Sequence, residues 1–388
     1  MTRPSSTRPT WAEVSRSALL SNYRILREQA TQVDAGVVAV IKANAYGHGA
    51  AEALAILAGD GCDWFAVTCL DEARILAPQL KGHRTLVLSG LFDGEAPEVV
   101  RHGLTPVLGS VQQLAWLAEA LPHSAEPSFP VHLEIDTGMA RQGIQWNDTA
   151  ALAGFATRLV QRPSLLLEAV MTHFASPEET YSPQTSEQLD RFRAAIATLR
   201  EHGIAPPILH AGNSASLFEA DQTTALRDIA QQSDSRLLLR PGISLYGYGP
   251  HPVKRGLQPV LRWKTRIAAL RTITAGEGVS YNVTFRAVRP TRIALLPVGY
   301  ADGYNRLLSN RGEVLVRGRR APIAGRVTMD QTMIDVTNIA DAAIGDEVVL
   351  LGLQGNNRIT ADDLAARAST IAYEVLCAVG TRVPRVWL

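Results

Sequence analysis

Short apolar runs recur along the first two thirds of the chain, separated by longer stretches in which apolar residues return at helical spacing. Eight runs predict strands: Val37 to Lys42, Trp64 to Val67, Thr85 to Ser89, Thr105 to Leu108, Val131 to Asp136, Leu165 to His173, Ile208 to Asn213 and Leu237 to Pro241. Segments such as Val111 to Leu121 and Ser186 to His202 predict amphipathic helices between them. Runs apolar on both faces belong in a parallel sheet covered by helices, and eight such units in roughly 235 residues fit a closed (β/α)8 barrel of the TIM type. An open doubly wound sheet is the competing topology.

Past Arg262 the pattern changes to alternating strands, among them Arg266 to Leu270, Arg292 to Pro297 and Glu347 to Leu351, set between Gly and Asp turns. A helical stretch from Ala361 to Val379 follows. The predicted organisation is an α/β barrel over 12–258, followed by a mainly β domain built from 259–388 with 1–11.

The first run ends on a lysine, where Val37-Val38-Ala39-Val40-Ile41-Lys42 gives way to Ala43-Asn44-Ala45-Tyr46-Gly47-His48-Gly49. β-branched residues fix the stem in a buried strand, and the turn after it admits a small ligand to the ammonium group. Desolvation there would favour the neutral amine that imine formation needs. By itself such a residue is more often a plain surface lysine at a strand end.

Active sites of parallel barrels lie at the carboxyl ends of the strands, so the polar residues finishing each run are the candidates. They are Lys42, Asp136-Thr137-Gly138-Met139-Ala140-Arg141, Thr172-His173, Asn213-Ser214 and Arg240-Pro241-Gly242-Ile243-Ser244. His173 or Arg141 alone would be read as a satisfied core or loop residue, but the shared position of the set argues for a site. Loops after strands seven and eight often hold phosphate on backbone N–H groups, and Ser214 with Gly242 and Ile243 offers a hydroxyl and two amides. With a strand-end lysine, this points to pyridoxal phosphate.

Composition narrows the field. The 388 residues carry 38 Lys plus Arg against 37 Asp plus Glu, for a net charge of +1, which gives nucleic acid no basic stripe to bind. The three cysteines, Cys62, Cys69 and Cys377, form no CxxC pair and no metal set, so no metal is expected. The polar start lacks a secretory apolar core and no run is long enough to cross a bilayer, so a soluble cytoplasmic protein with no membrane partner is expected.

Over nearly its full length the chain resembles alanine racemase, the fold-type III pyridoxal 5'-phosphate enzyme. Beyond the lysine run, the matching motifs are Trp11-Ala12-Glu13-Val14, Asp136 to Arg141, Asn213-Ser214, Arg240 to Ile243, Leu245-Tyr246-Gly247, Gly278-Val279-Ser280-Tyr281, Val298 to Gly303 and Met329-Asp330. The resemblance implies that Lys42 carries the cofactor as an imine. Tyr46, Asn213, Ser214, Gly242, Ile243 and Tyr373 would bind the cofactor, its phosphate above all, and Arg240 would meet the pyridine nitrogen. It further implies a homodimer in which Tyr281, Tyr300 and Met329 complete the partner's site, Lys42 and Tyr281 serving as the two bases of L-alanine and D-alanine interconversion. Arg141 and His173 would support Tyr281, and Arg141, Tyr300 and Met329 would contact substrate. The physiological counterpart is D-alanine supply for peptidoglycan.

An arginine facing the pyridine nitrogen leaves that nitrogen unprotonated and weakens the electron sink, which suits an enzyme that only inverts a stereocentre. Two departures stand out. Many relatives carry a carbamylated lysine seven residues before the DTGM-type arginine, whereas this chain has Glu134, and Thr328 stands where cysteine or serine is common. Alternatives are a racemase of broader specificity, a decarboxylase of the same fold type, whose second-domain cysteine motif is missing here, and a non-enzymatic carrier, which would stop near residue 250.

Overall fold

The computed structural model describes residues 7–123, 127–179 and 182–388; of the predicted N-terminal contribution 1–11, residues 1–6 lie outside the described residues. The chain divides into two compact units. One runs from Leu19 to Ala45 and from Ala50 to Gln258, and the other takes in Tyr46–Gly49, Pro259–Leu388 and the segment up to Ala18.

The first unit is a barrel of eight parallel strands: β1 (Ala35–Val40), β2 (Trp64–Val67), β3 (Arg84–Val87), β4 (Thr105–Leu108), β5 (Phe129–Asp136), β6 (Leu165–Met171), β7 (Ile208–His210) and β8 (Arg236–Leu239). Each strand pairs with the next, and β8 returns to β1 through Leu237↔Ala35 to Leu239↔Val37, so the ring closes and the open-sheet alternative falls. Val38, Leu133, Val170 and Leu238 are fully buried, as strands packed on both faces require. α-Helices follow β1 to β7, and two of them start on a capping side chain: Ser110 Oγ accepts from the Gln113 amide at 3.2 Å, and Asp148 from the Ala151 amide. The segment Val111–Ala120 then buries Leu114, Leu117 and Ala118, one face of a helix.

β1 ends two residues before Lys42. Ile41 still donates to Ala66 O at 2.9 Å, and the chain then winds into a left-handed turn in which Ala43, Asn44, Ala45 and Tyr46 all have φ of 51–54°. Non-glycine residues pay roughly 1–2 kcal/mol each for that hand, so surrounding contacts must impose it. The Ala43 amide donates to Glu72 Oε1 at 2.7 Å, Ala45 N to Ile41 O at 2.8 Å, and Asn44 Oδ1 accepts from Ala50 N at 2.8 Å.

The second unit holds two main sheets. In the larger, the order is Arg319–Pro322, Glu313–Val316, Glu347–Gln354, Leu261–Arg266, Thr10–Val14 and Arg385–Trp387, with Asn357–Ile359 on Glu347–Gln354. The smaller orders Ala269–Ile273, Thr291–Leu296 and Thr332–Asp335. Two expectations need correction. The strand expected over Arg266 to Leu270 is a corner, where Ile267 N donates to Asp346 O and Ala268 N to Leu295 O, handing the chain from one sheet to the other. The helix expected from Ala361 to Val379 is two, Ala361–Ala368 and Ala372–Cys377, because Ser369 adopts φ 55° and closes the first with a left-handed cap. No described helix is long and apolar enough to cross a membrane.

Candidate active site

Lys42, Arg141, His173, Asn213, Ser214, Arg240, Gly242 and Ile243 all follow the carboxyl ends of barrel strands. Arg240 is buried, and its guanidinium is fixed by Thr172 O at 2.8 Å, His173 Nδ1 at 3.3 Å and His210 Nδ1 at 3.2 Å. Burial pulls its pKa down to about 10, which leaves it cationic at neutral pH. With Nδ1 of His173 accepting, the ring proton sits on Nε2. Burial first, then the charges of Arg240, Arg141 and Lys42, push His173 down to about 3, so it is a neutral imidazole.

Behind Arg240 lies a buried column that the strand-end reading misses. His210 Nε2 meets His132 Nδ1 at 2.8 Å, and His132 Nε2 meets Glu168 Oε2 at 3.2 Å, while Arg84 pairs with the other Glu168 oxygen. These contacts assign one donor direction: Arg240 donates to His210, His210 to His132, and His132 to Glu168. Both rings are neutral in that arrangement; desolvation is the largest cause, holding His132 at about 3 and His210 well below its usual value. A signal was present, since His132, Glu134 and Asp136 alternate with Leu133 and Ile135 in a strand otherwise apolar on both faces.

Ser214 Oγ accepts from the Gly242 amide at 2.9 Å and the Ser244 amide at 3.2 Å. Its lone pairs are engaged, so the hydroxyl proton is left to donate outward, as a phosphate oxygen would require. Gly242 also leads into the short 3₁₀ turn Ile243–Tyr246. With the Gly242 and Ser244 amides spent on Ser214 and the Leu245 amide on Gly242 O, the Ile243 amide is the one left at this N-terminus to meet an anion, against the expectation that Gly242 would offer its own. Asn213 works on the backbone instead, its Oδ1 accepting from Ala215 N at 2.9 Å and Ser216 N at 3.4 Å. The donor set fits the phosphate end of pyridoxal phosphate.

In the loop after β5, Asp136 Oδ1 accepts from the amides of Gly138, Met139 and Ala140 at 2.9, 3.0 and 3.1 Å, shaping the turn that presents an exposed Arg141. Gln188 ties this loop to the next, donating to Thr137 Oγ1 at 3.1 Å and His173 O at 2.9 Å. Glu134 is buried, and burial raises its pKa against the pull of Gln142, Arg240 and Arg141. Its hydrogen-bond partner is the Gln142 amide, so the carboxylate acts on Arg141 through charge.

In the second unit Tyr281 is 71% exposed and Met329 54%. Ser280 Oγ donates to Arg326 O at 2.8 Å, anchoring the turn that carries Tyr281. The Tyr300 and Met329 turns are joined by backbone, with Tyr300 N donating to Thr328 O and Ala301 N to Met329 O, both at 3.0 Å. Buried Asp302 caps the Gly299 amide at 3.0 Å and pairs with Arg8 and Arg382. The rings of Tyr46 and Tyr373 lie 6.1 Å apart.

A closed barrel with a lysine after the first strand, a serine hydroxyl after the seventh and the Ile243 amide after the eighth fits one class, the barrel enzymes that use pyridoxal phosphate. The comparisons narrow it. The family described as alanine racemase, N-terminal domain, matches residues 14–250, and alanine racemase, C-terminal domain, matches 260–387. The alanine racemases of Halothermothrix orenii and Symbiobacterium thermophilum are each 39% identical over 98% of this chain and 97% of theirs. Among solved structures, alanine racemase from Streptomyces lavendulae aligns with a TM-score of 0.89 at 31% identity, covering 99% of this chain and 98% of that one. The Bacillus anthracis enzyme with bound L-Ala-P aligns at 0.88 and 32%, covering 100% and 96%. The Bartonella henselae enzyme with covalently bound pyridoxal phosphate aligns at 0.82 and 27%, covering 98% and 99%. The chain belongs to the alanine racemase family.

Proposed function

We propose that the protein interconverts L-alanine and D-alanine with two bases from two protomers, Lys42 on one face of the reacting carbon and Tyr281 of the partner subunit on the other. Inversion needs a proton removed on one side and delivered on the opposite side, which a single base cannot do without turning the substrate over. The observation that carries the reading is the fixed pair of Arg240 and His173 at the barrel mouth, 3.3 Å apart, in the same set of strand ends as Lys42.

Pyridoxal phosphate, when bound, supplies a conjugated ring that stabilises negative charge developing at Cα. Lys42 would hold the cofactor through its amine, and the same amine, when free, would move a proton at Cα. Ser214, Ile243, Tyr46 and Tyr373 would hold the phosphate, with Gly242 steadying Ser214 through its amide and Asn213 shaping the turn that carries Ser214. Arg240 would face the pyridine nitrogen as a donor; because a guanidinium keeps its proton, it would leave that nitrogen unprotonated and suppress side reactions that need a stronger sink. His173, accepting from Arg240 at Nδ1, presents an N–H at Nε2 that steadies the phenol oxygen of Tyr281. Arg141 and the Met329 backbone amide bind the substrate carboxylate, and Tyr300 narrows the entrance.

The assembly is a homodimer in which each barrel receives residues of the partner's second domain. The wide exposure of Tyr281 and Met329 in a single chain supports this, since apolar side chains at a turn tip gain by being covered. The three cysteines form no disulfide among the described residues, which suits the reducing cytoplasm. The test is Tyr281→Phe assayed in deuterium oxide. Cα exchange should persist from one enantiomer only, while inversion falls on the order of 10²–10⁴-fold. Exchange from both enantiomers with normal inversion refutes the two-base scheme, and a panel of L-amino acids in the same assay fixes the substrate range.

A further inference from the structure

Arg385 sits near the end of the chain, on the strand Arg385–Trp387 that pairs with Thr10–Val14. An arginine has five N–H donors in a planar fork and normally meets a carboxylate or water. Here all five donors end on backbone carbonyls of the same unit. Nε and one Nη2 hydrogen go to Gly47 O at 2.9 and 2.7 Å, the other Nη2 hydrogen goes to Val379 O, and the two Nη1 hydrogens go to Gly380 O at 2.5 Å and Val383 O at 2.7 Å. Burial lowers its pKa, the expected sign for a cation desolvated against carbonyl dipoles.

Those carbonyls are not arbitrary. Gly47 directly follows Tyr46, and Val379 and Gly380 directly follow the helix Ala372–Cys377 that carries Tyr373. At Gly47 φ is +83°, and a Cβ would come within 2.2 Å of Leu376 O, so the turn after Tyr46 presses on the end of the Tyr373 helix as only glycine allows. Arg385 bridges both sides of that contact. Its own backbone is held in the larger sheet, with Ala12 opposite Arg385 and Ala12 N donating to Pro384 O at 2.9 Å. The guanidinium therefore fixes the turn of Tyr46 and the helix of Tyr373 to one rigid frame, which sets their rings 6.1 Å apart.

We propose that Arg385 is a positioning residue for the phosphate end of the cofactor, a statement that rests on the reading of Tyr46 and Tyr373 as phosphate ligands. Lysine at this position keeps the charge but loses the fork, so it reaches one or two of the four carbonyls and frees the two tyrosines to drift. A misplacement of about 1 Å weakens such a site on the order of tenfold to a hundredfold.

The experiment titrates apoprotein with pyridoxal 5'-phosphate and, separately, with pyridoxal, following absorbance of the Lys42 adduct. Both aldehydes use the same lysine, so the ratio of their dissociation constants isolates the phosphate end. In Arg385→Lys the preference for the phosphorylated form should fall at least tenfold while affinity for pyridoxal is kept. An unchanged preference, or an equal loss for both aldehydes, overturns the proposal. Tyr46→Phe combined with Tyr373→Phe tests the underlying reading separately: an unchanged preference there removes the phosphate assignment, whatever Arg385→Lys does. Should Arg385→Lys not fold, hydrogen exchange on the wild-type protein decides the matter. Cofactor should slow exchange in 46–49 and in 379–383 together, and protection of one segment alone overturns the proposal.

Discussion

Acidification tests the buried column of Arg240, His210, His132 and Glu168. Both imidazoles are neutral in the folded barrel, held at about 3 for His132 and well below the usual value for His210, whereas in an unfolded chain each would protonate near 6.5. Folded values below unfolded ones mean that the stabilisation is complete above pH 6.5 and is lost as pH falls from there toward 3, because the unfolded state takes up protons the native state refuses. For His132 the slope is about 1.4 kcal/mol per pH unit, or about 2 kcal/mol between pH 6 and pH 4.5, and His210 adds to it in the same direction. Against the 5–15 kcal/mol that typically separates native from unfolded protein, that is a sizeable share. Urea unfolding followed by tryptophan fluorescence, at several pH values, should show a steeper acid slope in the wild type than in H132Q/H210Q, where only His173 still contributes in this way. Equal slopes in the two proteins, or imidazole NMR signals for these residues titrating near 6.5 in the folded state, would refute the argument.

Three further outcomes follow from the site. Lys42→Ala should lose the visible absorption of the lysine-linked cofactor and nearly all turnover, read by spectrum and by optical rotation. Because Glu134 is a carboxylate fixed in place by Gln142, activity should be indifferent to removal and restoration of carbon dioxide, and a bicarbonate-dependent recovery in the rate assay would contradict this. Asp302→Ala removes the cap of the Gly299 amide and the partner of Arg8 and Arg382, both partly exposed, and should cost about 1 kcal/mol in urea unfolding, with the Michaelis constant for alanine rising more than kcat falls, since the Tyr300 turn loses its cap.

The barrel was legible because each strand is a short, largely apolar run, and polar residues lie at or just past the ends of the first, fifth, sixth, seventh and eighth, so the runs mark both the ring and the residues at its mouth. Thr105–Leu108 and Trp64–Val67 even keep their predicted limits. What stayed hidden depends on partners distant in sequence. The left-handed course of Ala43 to Tyr46 is set by Glu72 and Ala50, and nothing in an Ala-Asn-Ala-Tyr string announces it. The histidine column joins three strands, β5, β6 and β7, so a reading that collected only strand ends passed over it. The corner at Ile267 looked like strand interior because its buried side chain keeps the alternation going while its amide changes sheets.

The coil after Lys42 also bears on how such an enzyme could be hardened. Glycine at Ala43 or Ala45 would relieve the penalty of the unfavoured hand, so a search for heat-resistant variants has reason to select it. The same exchange would slacken the backbone beside the reactive amine, and durability gained there would be taken from the accuracy with which that amine is aimed.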